Sequence, residues 1–502
     1  MTKARQRGAA QSALVVKVRR GIWWGVLGGV GQQFASVLTT VVLVRLLVPS
    51  EFGVVVAANV VVAMAGLFTF LGIRLAIVRV PDLDETMLWT LFWMSTALGV
   101  VTSALCVGLA SLAAAAMGQA AATPFLRVLG ALILVQTLSG VPRALLQRDM
   151  RFRAVYSVEL GAVAAQSVSA IAAALSGLGA WSLVVGYAAQ SVVLLVGYWG
   201  VVRRVPRLIF DRAKAREQLR FGAGMWTNTM LVYVVRNADF WAVSRALGSA
   251  TLGVYYVAYV LPNVLRQRLT WVTSEVMMPS FASMQDDLPR LRAIYQRSLR
   301  LHASVGLPAM AGLAVVSPIV VDVFFGSRWA AAATPMALVC LAAAVEFLTQ
   351  PAINLLVALG RTGTLVGIQL GRAVVLVPGV FLVAGRGGLV SVALVVLSSS
   401  VLTAVHAQIV CAHRTQGRLR PLLLTTLPAL VASGGMASAV LGLGQILPAS
   451  QTPLVSLPLL ITLGAVSYPA LLFLVAPRFS RSLFSDLRLL VSRRSGGSNQ
   501  PA

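Results

Sequence analysis

Apolar residues run in long stretches from Gly21 to Pro477, separated by short polar interruptions. The runs are continuous rather than alternating, so they predict helices and not the ten-residue strands of a membrane barrel. A bilayer core of about 30 Å needs about 20 helical residues, and lipid leaves no backbone group unsatisfied, so each run predicts a membrane-spanning helix. Fourteen spans follow, near 22–47, 52–78, 88–116, 124–142, 156–177, 180–202, 221–245, 252–281, 298–325, 330–358, 363–384, 387–411, 421–445 and 453–476. The fold class expected is all-α polytopic membrane protein.

The polar interruptions add an orientation. Residues 1–20 carry six basic side chains and no acid. Loop 142–155 is net +3, loop 203–220 net +5, loop 412–420 net +3, and the tail after Pro477 net +4. The segments 117–123, 178–179 and 446–452 carry no charge. This alternation predicts an even number of spans with both termini cytoplasmic. Loop 79–87 is net negative, but acids weigh little in that rule.

One pattern repeats. Residues 45–58 read RLLVPSEFGVVVAA and residues 245–258 read RALGSATLGVYYVA. Arg45 and Arg245, Leu47 and Leu247, Gly53 and Gly253, Val54 and Val254, and Ala58 and Ala258 match at an offset of 200. Pro142–Leu146 and Pro351–Leu355 echo one another more weakly. The offset equals six spans, so the chain divides into two pseudo-symmetric six-helix lobes and a C-terminal pair, as duplicated transporters do. The expected organisation is a basic N-terminus (1–20), an N-lobe (21–202), a basic linker (203–220), a C-lobe (221–411), helices 13 and 14 (412–476) and a tail (477–502).

Composition agrees. The 502 residues are 58% hydrophobic and 11% charged, against roughly 25% charged in soluble domains. The net charge of +26 does not point to nucleic acid, because the basic residues sit in short loops and at the termini. Cys106, Cys340 and Cys411 lie far apart in apolar runs and read as small buried side chains. None of Lys3, Lys17 and Lys214 follows a glycine, so there is no Walker loop. His302, His406 and His413 have no metal spacing. No cofactor is expected, although H⁺ or Na⁺ coupling is compatible with the buried acids. Asp82 and Asp84 form a D-x-D pair, which reads as a solvated acidic loop rather than a sugar-nucleotide site.

Charges inside the spans are costly and should face protein or water. Arg236 and Asp239, three apart, are expected on one helix face, with Asn237 beside them. Arg266, Arg268, Arg74 and Arg372 complete a set of candidate substrate-binding residues, and Glu159 and Glu346 are candidate coupling carboxylates. Gln32, Gln33 and Asn228 add hydrogen-bonding groups. Guanidinium forks suit phosphate oxygens, so the set predicts a wet cavity for an anionic head group.

Four stretches carry a family resemblance: RLLVPSEFG (45–53); LLQRDMRFRAVYSVELGAVAA (145–165) with GLGAWSLVVG (177–186); RNADFWAVSRALGSATLGVYYVAYVLPNVL (236–265); and MPSFASMQDDLPRLRAIYQRSLRL (278–301). In order and spacing they resemble the bacterial oligosaccharide flippases, or polysaccharide transporters, of the superfamily that includes multidrug exporters and the lipid II flippase. The last ~150 residues match only in hydropathy. The resemblance implies two six-helix bundles around a cavity. It also implies passage of a polyprenyl-pyrophosphate-linked oligosaccharide across the bacterial cytoplasmic membrane by alternating access, for surface polysaccharide assembly. The partners it implies are the lipid-linked glycan, membrane lipids, and a polymerase and glycosyltransferases. An ion-coupled drug exporter of the same superfamily and a membrane glycosyltransferase are the competing readings. The charge-free stretch between Arg20 and Arg45 is unlike the first span of the lipid II flippase. Arg45 and Arg245 are expected to belong to turns.

Overall fold

The computed structural model describes residues 25, 28–70, 73–79, 83–282, 287–415, 419–446, 453–477 and 479–481. Within them the chain is helical and contains no strand. In chain order the helices are α1 (Gly28–Leu46), α2 (Pro49–Phe70), α3 (Ile73–Arg79), α4 (Glu85–Gly108), α5 (Ala110–Ala116), α6 (Thr123–Arg148), α7 (Phe152–Leu175), α8 (Trp181–Val202), α9 (Arg212–Ala282), α10 (Leu288–Val320), α11 (Ala333–Ala358), α12 (Thr362–Arg414), α13 (Leu419–Ile446) and α14 (Pro453–Val475).

Among the described residues, eleven helical segments are long and apolar enough to cross a bilayer. Two of the long helices are interrupted. Gly248 in α9 has φ 84° and ψ 176°, and Gly388 in α12 has φ 67° and ψ −161°. Both angles lie outside the region open to residues with a Cβ, which is why glycine stands at each break. With α9 and α12 divided there, the described helices follow the order the hydropathy predicts and roughly its count of fourteen.

The helices extend further than the polar punctuation suggests. Pro142 lies inside α6, which continues to Arg148, so Arg143 is a helical residue and not a loop residue. Only Asp149, Met150 and Arg151 separate α6 from α7, with Met150 in the left-handed region at φ 53°. Likewise α9 begins at Arg212, which leaves 203–211 as the non-helical part of the basic loop. Membrane helices tolerate an internal proline because neighbours satisfy the freed carbonyl.

The chain forms two compact units, Met1–Gly253 and Val254–Ala502. The expected linker 203–220 therefore lies inside the first unit. The reason is that the start of α9 packs on first-unit helices: Tyr233 Oη donates to Val60 O at 2.7 Å, and Ser244 Oγ to Met117 O at 2.9 Å. Gln119 Nε2 in turn donates to Ser244 O at 3.0 Å.

In the first unit α6 is central, packed against α2, α3, α4 and α8, while α7 and α8 form a close pair. Ile73, Ile77, Leu88, Val141 and Leu145 are buried together. Phe92 meets Trp89, Trp93 and Trp199 edge-on, with centroids 6.1, 5.2 and 5.6 Å apart. In the second unit α11 packs between α10 and α12, and α13 bridges α10 and α14. One of its cores joins Phe281, Tyr295, Leu299, Leu355, Leu356 and Cys411. Cys340 and Cys411 are buried and all three cysteines are free, as expected of small apolar side chains.

Candidate functional site

Among the described residues, each unit holds a charged cluster built around one carboxylate between its helices. In the first, Glu159 of α7 is the hub. Arg143 of α6 donates from Nε and Nη2 to Glu159 Oε1 at 2.9 and 2.5 Å. Tyr198 Oη of α8 donates to the same oxygen at 3.0 Å, and Gln32 Nε2 of α1 donates to Oε2 at 2.8 Å. Four helices thus converge on one carboxylate, whose side chain is only 13% exposed. A buried ion is tolerated only when its lone pairs are filled this thoroughly. The cluster lines a cavity of about 440 Å³, whose wall also includes Gln136, Thr137 and Ser191. Gln136 Nε2 lies 3.4 Å from Ser191 Oγ. That volume falls within the range of small-ligand sites.

In the second unit the hub is Glu346 of α11. Arg372 Nη2 of α12 donates to Glu346 Oε1 at 2.5 Å, and Arg266 Nε of α9 lies 3.8 Å from Oε2. Ser400 Oγ lies 3.4 Å from Oε1 and 3.3 Å from Arg372 Nη2. Arg266 Nη2 donates to Asn263 Oδ1 at 3.1 Å. Both guanidinium groups are well covered, at 14% and 13% side-chain exposure. Among the described residues, two guanidinium groups face one carboxylate here, where one faces one in the first cluster.

The two hubs share a design with its polarity exchanged. In the first unit the arginine is on the helix before the short turn and the glutamate on the helix after it. In the second the glutamate comes first and the arginine second.

Of the residues expected to bind substrate, Arg266 and Arg372 therefore meet, and Glu346 joins them. Glu159 forms its own centre, with Gln32. Asp239 is 3% exposed and Arg236 is exposed. Asp239 Oδ1 accepts from Phe240 N at 3.0 Å, and Asn237 Nδ2 donates back to Tyr233 O at 2.8 Å. Arg268 is half-buried. The side chains of Arg74 and Asn228, and Asp82, lie outside the described residues. Asp84 is not a metal ligand in waiting. It caps α4 by accepting from Met87 N at 3.0 Å and pairs with Lys214. Lys214 and the Met87 amide hold its carboxyl below the usual range. No metal-binding group of three ligands occurs among the described residues.

The residues that sequence reasoning missed are Arg143, Tyr198 and Ser400. Arg143 was hidden by Pro142, which reads as the end of a span. The signal for it was the apolar run Ala144–Leu145–Leu146 immediately beyond.

An apolar cavity of about 510 Å³ lies elsewhere in the second unit, lined by Leu261, Leu265, Val316, Met436, Leu460 and Tyr468.

Residues 42–334 match the family described as polysaccharide biosynthesis protein. The chain is 26% identical over 380 residues to the lipopolysaccharide biosynthesis protein WzxC of Escherichia coli (strain K12), covering 75% of this chain and 77% of that one. It is 28% identical over 362 residues to the succinoglycan biosynthesis transport protein ExoT of Rhizobium meliloti (strain 1021), covering 71% and 72%. Among solved structures, the lipid II flippase MurJ in an inward closed conformation superposes with a TM-score of 0.73 at 11% identity, over 91% of this chain and all of that one.

Proposed function

Since the chain belongs to the polysaccharide biosynthesis protein family, we propose that it is a flippase for a polyprenyl-pyrophosphate-linked oligosaccharide and not an enzyme. It moves the glycan from the cytoplasmic to the outer leaflet of a bacterial cytoplasmic membrane, with both of its own termini inside. The relatives named for lipopolysaccharide and succinoglycan biosynthesis support surface polysaccharide as the product class. The observation that carries the head-group assignment is the pair of covered guanidinium groups that Arg266 and Arg372 bring to Glu346. A pyrophosphate brings negative charge into the membrane, and guanidinium forks held at one place there suit its oxygens. The apolar cavity beside Leu265 and Met436 offers the polyprenyl chain a surface of its own kind.

The carboxylates then bias the transport cycle. Glu159 and Glu346 each hold their arginines by a charge that a proton or a sodium ion can compete for, so ion binding releases guanidinium groups to the substrate. Residues 21–202 and 221–411 serve as the two lobes of the alternating-access cycle. A polymerase and glycosyltransferases act before and after it.

The test is complementation of a flippase-null strain, with lectin labelling of intact cells as the readout for outer-leaflet glycan. Wild type restores display, and Arg372→Ala and Arg266→Ala abolish it at normal membrane abundance. Full display by both variants removes this cluster from the mechanism.

A further inference from the structure

The first unit carries a basic concavity at the end of α8, which shares no lining residue with the Glu159 cavity. We propose that this concavity and the segment 203–211 beside it form a docking surface for an anionic phospholipid. The inference is independent of what the protein transports.

The segment leaves α8 through Arg203, whose φ of 53° turns the chain, and runs without helix to Arg212. It is tied down at several points. Trp93 Nε1 donates to Arg207 O at 2.7 Å, Arg207 Nη1 pairs with Glu85 Oε2 at 2.6 Å, and Asp211 N donates to Thr90 Oγ1 at 3.0 Å. Held this way, it presents Val205, Leu208 and Phe210 outward, at 80%, 88% and 54% exposure. A segment anchored through its backbone holds these side chains outward, where an apolar medium outside can cover them.

Position and charge identify the medium. Both α8, which ends at Val202, and α4, which begins at Glu85, are membrane-length helices. The segment therefore lies where spans meet head groups. Exposed Arg203, Arg204 and Arg207 alternate with the apolar residues. That mixture of basic and apolar side chains is the pattern of an interfacial anchor, and basic residues beside a span attract anionic lipid.

The adjoining cavity, about 260 Å³, supplies a place for the phosphate. Arg148, Arg151 and Arg204 line it, together with Glu85 and Asp149. Arg207 already engages Glu85, and Arg148 Nη1 donates to Ile77 O at 2.8 Å. Arg151 and Arg204, both exposed, are the guanidinium groups best placed to take a phosphodiester. Asp149 is the opposing charge and disfavours a head group of higher negative charge.

The test uses the full chain in mixed micelles of equal phosphatidylglycerol and phosphatidylcholine, with retained lipid quantified by mass spectrometry. Other basic parts of the chain also attract anionic lipid, so the diagnostic is the change that substitution causes. Wild type retains phosphatidylglycerol preferentially. Arg151→Gln/Arg204→Gln lowers that preference by about fivefold per charge removed, and Arg151→Lys/Arg204→Lys keeps most of it. Val205→Ser/Leu208→Ser alters the two most exposed of these side chains and lowers the amount of retained lipid by itself. Unchanged preference in the glutamine variant overturns the proposal. So does a fall in oligomeric mass of the serine variant, which would make the surface a contact between copies of the chain.

Discussion

Gly53 and Gly253, 200 positions apart, lie against one another in a contact that admits no side chain. A Cβ built on Gly53 overlaps the carbonyl oxygen of Ser249, and a Cβ built on Gly253 overlaps that of Pro49. Ser249 and Pro49 are themselves 200 apart. The two repeat segments therefore meet through a local two-fold relation: the glycine of each rests on the helix start of the other. On one side Pro49 stands at the first position of α2, and Glu51 closes the cap by accepting from Val48 N at 3.1 Å. On the other, Gly248 breaks α9.

Alanine at either glycine is expected to be damaging to a similar degree, because the two-fold makes the overlaps equivalent. Forcing a methyl group into a packed contact costs typically 1–3 kcal/mol. Thermal unfolding of purified Gly53→Ala and Gly253→Ala should show comparable losses. Gly66→Ala, with nothing within 4 Å of its added Cβ, should show none. A large asymmetry between Gly53→Ala and Gly253→Ala would contradict the two-fold.

Arg372 and Arg266 differ in their hold on Glu346, at 2.5 Å and 3.8 Å. Removing Arg372 leaves the carboxylate with its weaker partner and should cost stability, roughly 1–3 kcal/mol for a covered charge losing its main bond. Removing Arg266 should cost much less stability while still reducing glycan display. Denaturation midpoints set against surface labelling separate the two roles.

Glu159 accepts three donors on one oxygen, so its removal and that of Arg143 should not add. Glu159→Gln and Arg143→Gln each leave a covered group unmatched. The double variant should be less destabilised than the sum of the two, by about 1 kcal/mol or more. Additive losses would mean the pair is not coupled.

Lys214 and the Met87 amide depress Asp84. A carboxyl whose folded pKa lies below its unfolded value contributes stability above the unfolded pKa and loses it as pH falls through the folded value. The contribution should therefore be present at neutral pH and disappear in the acid range below about pH 4. Lys214→Gln should flatten that acid limb. Asp84→Asn should retain the cap, because asparagine serves that position well. Unfolding midpoints between acid and neutral pH measure both.

Legibility in the sequence varied with the range of the physics. Span positions follow from a one-dimensional requirement for apolar length, and the eleven membrane-length segments among the described residues were readable. Helix ends were not, because polar residues such as Arg143 and Arg148 can sit inside a helix whose neighbours pair with them. Glu159 and Glu346 stood out as acids in apolar runs, and each became a hub. Arg236 and Asp239 also stood out, and the structure buries Asp239 while Arg236 is exposed.

The sequence by itself determined the membrane class, the order of the spans, and the repeat at an offset of 200, because burial in lipid and duplication both leave marks along the chain. Only the tertiary structure decided that Gly53 meets Gly253, that Arg143 rather than a foreseen arginine holds Glu159, and that Arg266 and Arg372 share Glu346. Those pairings depend on how helices distant in sequence are rotated and packed, and a bilayer exerts no hydrophobic force between helices that hydropathy could reveal.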